Sequence, residues 1–351
     1  MCAAVLVGLA ACMAGCGLEH LIFGTQGSYL LTAHDTLALP GEQVTLKARL
    51  EGGKFLRDQP GVPLQFQCEG LLNCRVATDS EGCATTPFRP AAPGDYLVTV
   101  SVEPGILKNT APESAVLLVT CRKADAPLAI VDLDKTLVAS GFKAVLVGNP
   151  KPMPQSLEVM MRLAKDYTVI YLTHRAEFLG HKSKAWLHDY GYPLAPLLLA
   201  DSHEMFERSG PYKAAVLETL RQRFRGRAIG IGDQISDALA YRQNEIEPFL
   251  LITVPPDANA GDLRKLADSL QPLPENDQVL TGWGEIERAV LDGRPHLRPA
   301  AQAELRRRAE KITAQKKTSR DRPTSRSGAG TTAQDCDLRG GSPDPPRKSA
   351  A

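Results

Sequence analysis

The sequence predicts a multidomain chain, an antiparallel β-sandwich followed by an α/β domain on a parallel sheet. Two changes of pattern and one short joint predict it. Between residues 28 and 121, apolar and polar residues alternate in short runs broken by Gly, Pro and Asp. That is the mark of half-buried strands joined by turns. From residue 126 to about 291, short apolar runs alternate with stretches of helical period. Such alternation requires a parallel sheet with helices on both faces. Residues 122–126, between the two, are polar and read as a short linker. At 351 residues the chain can bury a core in each part.

Residues 1–15 are small and apolar, too short to span a bilayer as a mature helix. They end in Met13-Ala14-Gly15-Cys16, with Gly17 after it. This resembles the lipobox of bacterial lipoproteins. The resemblance implies a signal peptide over 1–15, cleavage before Cys16, acylation of its thiol and a place in the bacterial cell envelope. No Lys or Arg precedes the run, and no second apolar run is long enough to span a membrane.

Within 28–121, Val44-Thr45-Leu46-Lys47-Ala48-Arg49-Leu50 and Tyr96-Leu97-Val98-Thr99-Val100-Ser101-Val102 alternate cleanly. About seven short strands at this spacing indicate a sandwich. Thr78-Asp79-Ser80-Glu81-Gly82-Cys83-Ala84 and Pro93-Gly94-Asp95-Tyr96 resemble bacterial immunoglobulin-like (Ig-like) repeats of the invasin type. Those motifs are turn chemistry, and the resemblance implies a spacer or partner-binding module. Cys68, Cys74, Cys83 and Cys121 are confined to this region, and residues 122–335 hold no cysteine. Four cysteines in one small domain predict one or two disulfides and an oxidising compartment. Without Cys-x-x-Cys or a neighbouring His pair, zinc is not expected.

The α/β part opens on Leu128-Ala129-Ile130-Val131, a charge-free run that reads as a buried parallel strand. Helices follow over 155–166, 176–190, 211–224 and 235–241, with strands over 167–172, 194–199, 227–232 and 249–254. The first strand runs into Asp132-Leu133-Asp134-Lys135-Thr136. Two carboxylates two residues apart, at the strand end where α/β sheets bind ligands, ask for a metal ion or a shared proton. They also suit phosphoryl transfer, with one acid as nucleophile and the other moving the leaving-group proton. Thr173 ends the second strand, before His174 and Arg175. Its hydroxyl there could hold a phosphate oxygen or merely cap a helix. Lys213 near a helix start could neutralise phosphate and nucleophile. Gly230-Ile231-Gly232-Asp233-Gln234-Ile235-Ser236-Asp237 places two more carboxylates after a strand, hard oxygen donors suited to Mg²⁺.

In this order the set resembles the haloacid dehalogenase (HAD) superfamily over roughly residues 126–290. The resemblance implies a Rossmann-like HAD domain with Asp132 as nucleophile and Asp134 as general acid/base. It further implies Thr173 and Lys213 as phosphate holders. Mg²⁺ would be held by Asp132, Asp233 and the Asp134 backbone carbonyl, with Asp237 a further or supporting acid. An acid at Asp134 favours phosphatases over dehalogenases, and Lys135 stands where a glycine is common. Tyr171-Leu172-Thr173-His174-Arg175 and Gly232-Asp233-Gln234-Ile235-Ser236-Asp237-Ala238-Leu239-Ala240-Tyr241 look like the lipin-type phosphatidate phosphatase domain. His174 and Asp233 replace its usual Ala and Asn, and Arg175 would aid phosphate or headgroup binding.

From Thr136 to Thr173 is 37 positions, and from there to Lys213 is 40, which the sheet's own elements nearly fill. No room remains for a large cap, and an uncapped site suits a phosphate presented at a surface. The expectation is a Mg²⁺-dependent phosphomonoester hydrolase on a lipid-anchored chain, favouring phosphatidate. Its rivals are a broad-specificity periplasmic acid phosphatase and a non-catalytic envelope adhesion or scaffold protein. Residues 292–351 read as a basic, largely disordered tail with a helix-compatible stretch over 300–317; no nucleic-acid partner is expected. From 298 onward the tail holds 13 Lys or Arg against 6 Asp or Glu, while the whole chain is +1.

Overall fold

The computed structural model describes residues 29–53, 56–107, 113–139, 150–201, 204 and 208–320, with side chains to residue 315. The apolar run with Cys16, and the last part of the basic tail, lie outside these residues. One sheet of the sandwich holds β1 (Tyr29–Ala33), β3 (Val44–Gly52), β4 (Arg57–Asp58) and β7 (Cys83–Phe88). The other orders β2 (Thr36–Ala38), β9 (Ala115–Cys121), β8 (Gly94–Val102), β5 (Pro63–Cys68) and β6 (Leu72–Ala77). Pairing is antiparallel except between β2 and β9, which run parallel. Alternation places Leu46, Leu50, Phe66, Val98 and Val100 between the sheets, fully buried.

The predicted disulfides do not form: Cys68, Cys74, Cys83 and Cys121 are all free thiols. Within each sheet, no ladder sets two of them opposite each other. Cys68 pairs across with Leu72, Cys74 with Phe66, Cys83 with Arg49 and Cys121 with Gly94. A bridge needs close, facing Cβ atoms, and no cross-strand pair joins two cysteines. Cys68 and Cys121 instead fill the core as small apolar groups, so cysteine pairing lends no support to an oxidising compartment.

Beyond Cys121 the period changes and a parallel six-stranded sheet follows. Its strands are β10 (Leu128–Val131), β11 (Thr168–Ala176), β12 (Leu197–Ala200), β13 (Ala228–Gly232), β14 (Glu247–Leu251) and β15 (Gln278–Leu280). They lie in the order β12-β11-β10-β13-β14-β15. The chain thus builds outward on one side of β10 and then on the other. A topological switch falls between β10 and β13, where α/β sheets place their ligands. Side chains of β10 alternate between two cores. Ala129 and Val131 meet α1 (Ser156–Asp166), α2 (Gly180–Asp189) and α6 (Trp283–Val290). Leu128 and Ile130 meet α3 (Ser209–Arg223) and α4 (Ile235–Gln243).

The α/β body runs past residue 291, where the sequence reading began the tail. Val279 N–H donates to His296 O, and α7 (Arg298–Arg320) buries Ala301, Leu305 and Ala309 against α5 (Ala260–Ser269). Among the described residues, no separate cap domain stands between β10 and α3, and no helix is long and apolar enough to cross a membrane.

Candidate active site

Asp132 follows β10 directly and continues the side-chain parity of Ile130, which puts it on the α3 face. Lys213, on α3 and 3 % exposed, donates from Nζ to Asp132 Oδ1 at 2.8 Å and to Asp237 Oδ1 at 2.9 Å. Thr136 Oγ1 lies 3.4 Å from the other oxygen of Asp132. Asp132, Asp233 and Asp237 each offer an oxygen within 4.8 Å of the others. Five residues from three separate segments therefore converge where the sheet switches direction.

Two glycines make that convergence sterically feasible. A Cβ on Gly232 would lie 2.6 Å from Asp237 Oδ2, and one on Gly230 would lie 2.3 Å from the Tyr241 ring. Only glycine lets α4 settle so close to β13. Asp237 also steadies its own helix, since Gln234 N–H donates to its Oδ2 at 3.4 Å, satisfying a free amide at the helix start. Lys135, where glycine is common in the resembled family, takes the left-handed conformation at φ 59°. The turn thus keeps the backbone that glycine favours, with a lysine bearing the strain.

Electrostatics mark the cluster as short of positive charge. Burial, with Asp237 close by, pushes the Asp132 carboxyl up to about 7 against the pull of Lys213. Burial and Asp237 likewise push Asp233 up to about 6, against Gln234, Lys135 and Lys213. Burial alone would lower the Lys213 ammonium, but Asp132 and Asp237 outweigh it and hold the group charged. Three carboxylates facing one ammonium, all with hard oxygen donors, fit a divalent cation of the Mg²⁺ type.

Asp134 stands outside this group of three acids and is bonded to Arg175. Arg175 Nε and Nη2 donate to its two oxygens at 2.9 and 2.8 Å, and Nη1 donates to Ser183 Oγ at 3.0 Å. The guanidinium expected to hold phosphate is instead forked onto the expected acid/base. Thr173 and Arg175 lie in a lapse of the β11–β12 ladder, where Leu172 pairs with Leu198 and Ala176 with Ala200. Such an irregularity re-aims side chains at a strand end. Thr173 is buried there. His174 reaches the carbonyl of Glu204 at 3.0 Å and packs on Tyr212 of α3.

Several supporting residues escaped sequence reasoning. Trp283 Nε1 donates to Thr136 O at 2.8 Å, bracing the Asp132–Thr136 turn from far along the chain. Ser183 holds Arg175 from α2, and Glu177 lies buried just beyond Arg175. Nothing local marks Ser183 or Glu177; the lone clue to Trp283 is a tryptophan opening a helix after Gly282.

The family described as "PITM 1-3, LNS2 domain" matches residues 129–251, well under half of the chain. At that coarse level the segment is similar to a lipin-related phosphatase domain. No curated protein matches the sequence. Among solved structures, the Pnkp1/Rnl/Hen1 RNA repair complex is 17% identical and covers 37% of this chain and 44% of its own, with a TM-score of 0.33. The D00-D0 domain of intimin is 20% identical over 27% of this chain and 48% of its own, at 0.21. The N-terminal Ig1-2 module of the Drosophila receptor protein tyrosine phosphatase DLAR is 12% identical over 30% of this chain and 60% of its own, at 0.21. The chain spans less than two thirds of each, and these scores are too low to establish a shared fold. What the chain shares with a known family is the stretch from β10 to β14, which carries the whole carboxylate cluster.

Proposed function

We propose that the chain is a Mg²⁺-dependent phosphomonoester hydrolase of HAD type that works through a phosphorylated Asp132. The observation that carries this reading is the Asp132 carboxylate held 2.8 Å from buried Lys213 with Asp233 and Asp237 close by. In the first step an Asp132 oxygen forms a bond to phosphorus while the bond to the leaving oxygen breaks. Asp134 delivers a proton to that leaving alkoxide. In the second step Asp134 takes a proton from water, whose oxygen attacks the same phosphorus and returns Asp132 as a free carboxylate. Lys213 offsets charge on the nucleophile, and with Thr173 holds the phosphate oxygens. Arg175 fixes the plane of Asp134 through both of its oxygens. Mg²⁺ held by Asp132, Asp233, Asp237 and the Asp134 carbonyl would supply electrostatic stabilisation of the transferring phosphoryl group.

The favoured substrate is phosphatidate or another phosphate presented at a membrane, on the strength of the lipin-related match and the lack of a cap among the described residues. Acylation at Cys16 would hold the chain at the bacterial envelope surface. The test is Mg²⁺-dependent phosphate release from phosphatidate vesicles beside soluble phosphomonoesters, with Asp132→Asn as the blank. Preference for vesicles supports the lipid reading, and preference for soluble esters makes this a scavenging phosphatase. A second reading, phosphate binding without turnover, draws on the engagement of both Asp134 oxygens by Arg175. Vesicle binding with no phosphate release would favour it.

A further inference from the structure

We propose that the β-sandwich is a working part of the active site, because Asp35 and Arg49 hold the turn and helix that aim Arg175 at Asp134. The kinetic consequence rests on the phosphatase reading; the positional one does not. Arg175 is 2 % exposed and sits where the strand ladder lapses, so main-chain pairing with β12 does not fix it. Two residues later, Glu177 opens a short 3₁₀ turn, Glu177–Leu179, and is itself 2 % exposed. Its carboxylate accepts from Arg49 Nη1 on β3, and its other oxygen lies 3.1 Å from His34 Nε2, just after β1. Arg49 is tied in turn to Asp58 at 2.7 Å.

The second support of Arg175 is Ser183, and the next residue on α2 is Lys184. Lys184 Nζ donates to Asp35 Oδ1 at 2.6 Å and to the carbonyls of Val116 and Ala33 at 2.9 and 3.3 Å. Buried Asp35 also accepts from Leu118 N–H at 2.7 Å and from Leu197 N–H of β12 at 2.9 Å. Both supports of Arg175 are therefore pinned, within two residues, by charged groups of the sandwich. A tethered spacer would meet its neighbour through exposed polar contacts. Here buried carboxylates carry the seam, and Leu37 of β2 packs inside the α/β core. Removing one partner of a buried ion pair leaves the other uncompensated, so the turn must shift. A forked Arg–carboxylate pair tolerates little displacement.

The experiment uses the full 351-residue chain with isotope-labelled arginine. It follows solvent exchange of the Arg175 Nε–H, assigned by its loss in Arg175→Lys, beside kcat and KM for a soluble phosphomonoester with Mg²⁺. Glu177→Gln is expected to speed that exchange and lower kcat, each about tenfold, with KM within about twofold. Arg49→Lys should retain most of both. Arg223→Met, which loosens the seam at Leu37 and Glu42 instead, should change neither beyond about twofold. Unchanged exchange in Glu177→Gln, or equal acceleration in Arg223→Met, overturns the proposal. Lys184→Met gives the same reading if Glu177→Gln does not fold. If the unaltered protein turns over no substrate, the phosphatase reading fails and the exchange data alone decide the positional claim.

Discussion

Asp132 sits in a conflict that its burial and two neighbours create. Its carboxylate is buried against Asp237, which favours the proton, and bonded to Lys213, which favours the charge. In the cation-free protein its folded pKa, about 7, lies above the ordinary 3.8, and Asp233 at about 6 is displaced the same way. Both groups therefore add stability that is complete below about pH 4 and lost as pH rises through 6 to 7. The melting temperature of chelator-treated protein should fall between pH 5 and 8. Mg²⁺ should restore it, most strongly at pH 8 where both carboxylates are ionised. A Mg²⁺ effect that is absent, or larger at pH 5, would count against a cation site here.

Among the elements, β13 and α4 show how a short motif carries its own packing. Replacing Gly230 by Ala would drive a methyl into the ring of Tyr241, which is 1 % exposed. We expect a loss of about 1–3 kcal/mol in urea unfolding. The loss should shrink when Tyr241→Leu is added, since residues in contact are not additive. The Gly-x-Gly-Asp pattern was legible because glycines and carboxylates lie within eight positions. The Arg175–Asp134 fork was not, because 41 positions separate the partners and only the lapse in β11 turns them together. Short elements escaped for a different reason: β15 has three residues, too few to show a period. The cysteines misled because spacing along a chain does not report which residues face each other, and all four are free with no ladder setting two of them opposite.

At the scale of the molecule, the division into sandwich and α/β domain was legible from the change of period near residue 122, but the seam between them was not. Asp35, Glu42, Arg49 and Glu177 look like ordinary surface charges in the sequence, yet they tie the domains together. The two domains are expected to unfold in one cooperative transition. Fluorescence of Trp186 and Trp283, both in the α/β domain, should coincide with far-ultraviolet circular dichroism, which also reports the sandwich. Two separated transitions would mean that the domains behave as independent beads.

Phosphorylation of Asp132 can be looked for directly. Asp134→Asn should slow hydrolysis of the intermediate more than its formation when the leaving group needs no proton, as with p-nitrophenyl phosphate. Acid quenching of that variant during turnover with Mg²⁺, followed by peptide mass spectrometry, should find a phosphoryl group on Asp132. Asp132→Asn/Asp134→Asn should show none. Turnover without any phosphoryl group on Asp132 would rule Asp132 out as the nucleophile.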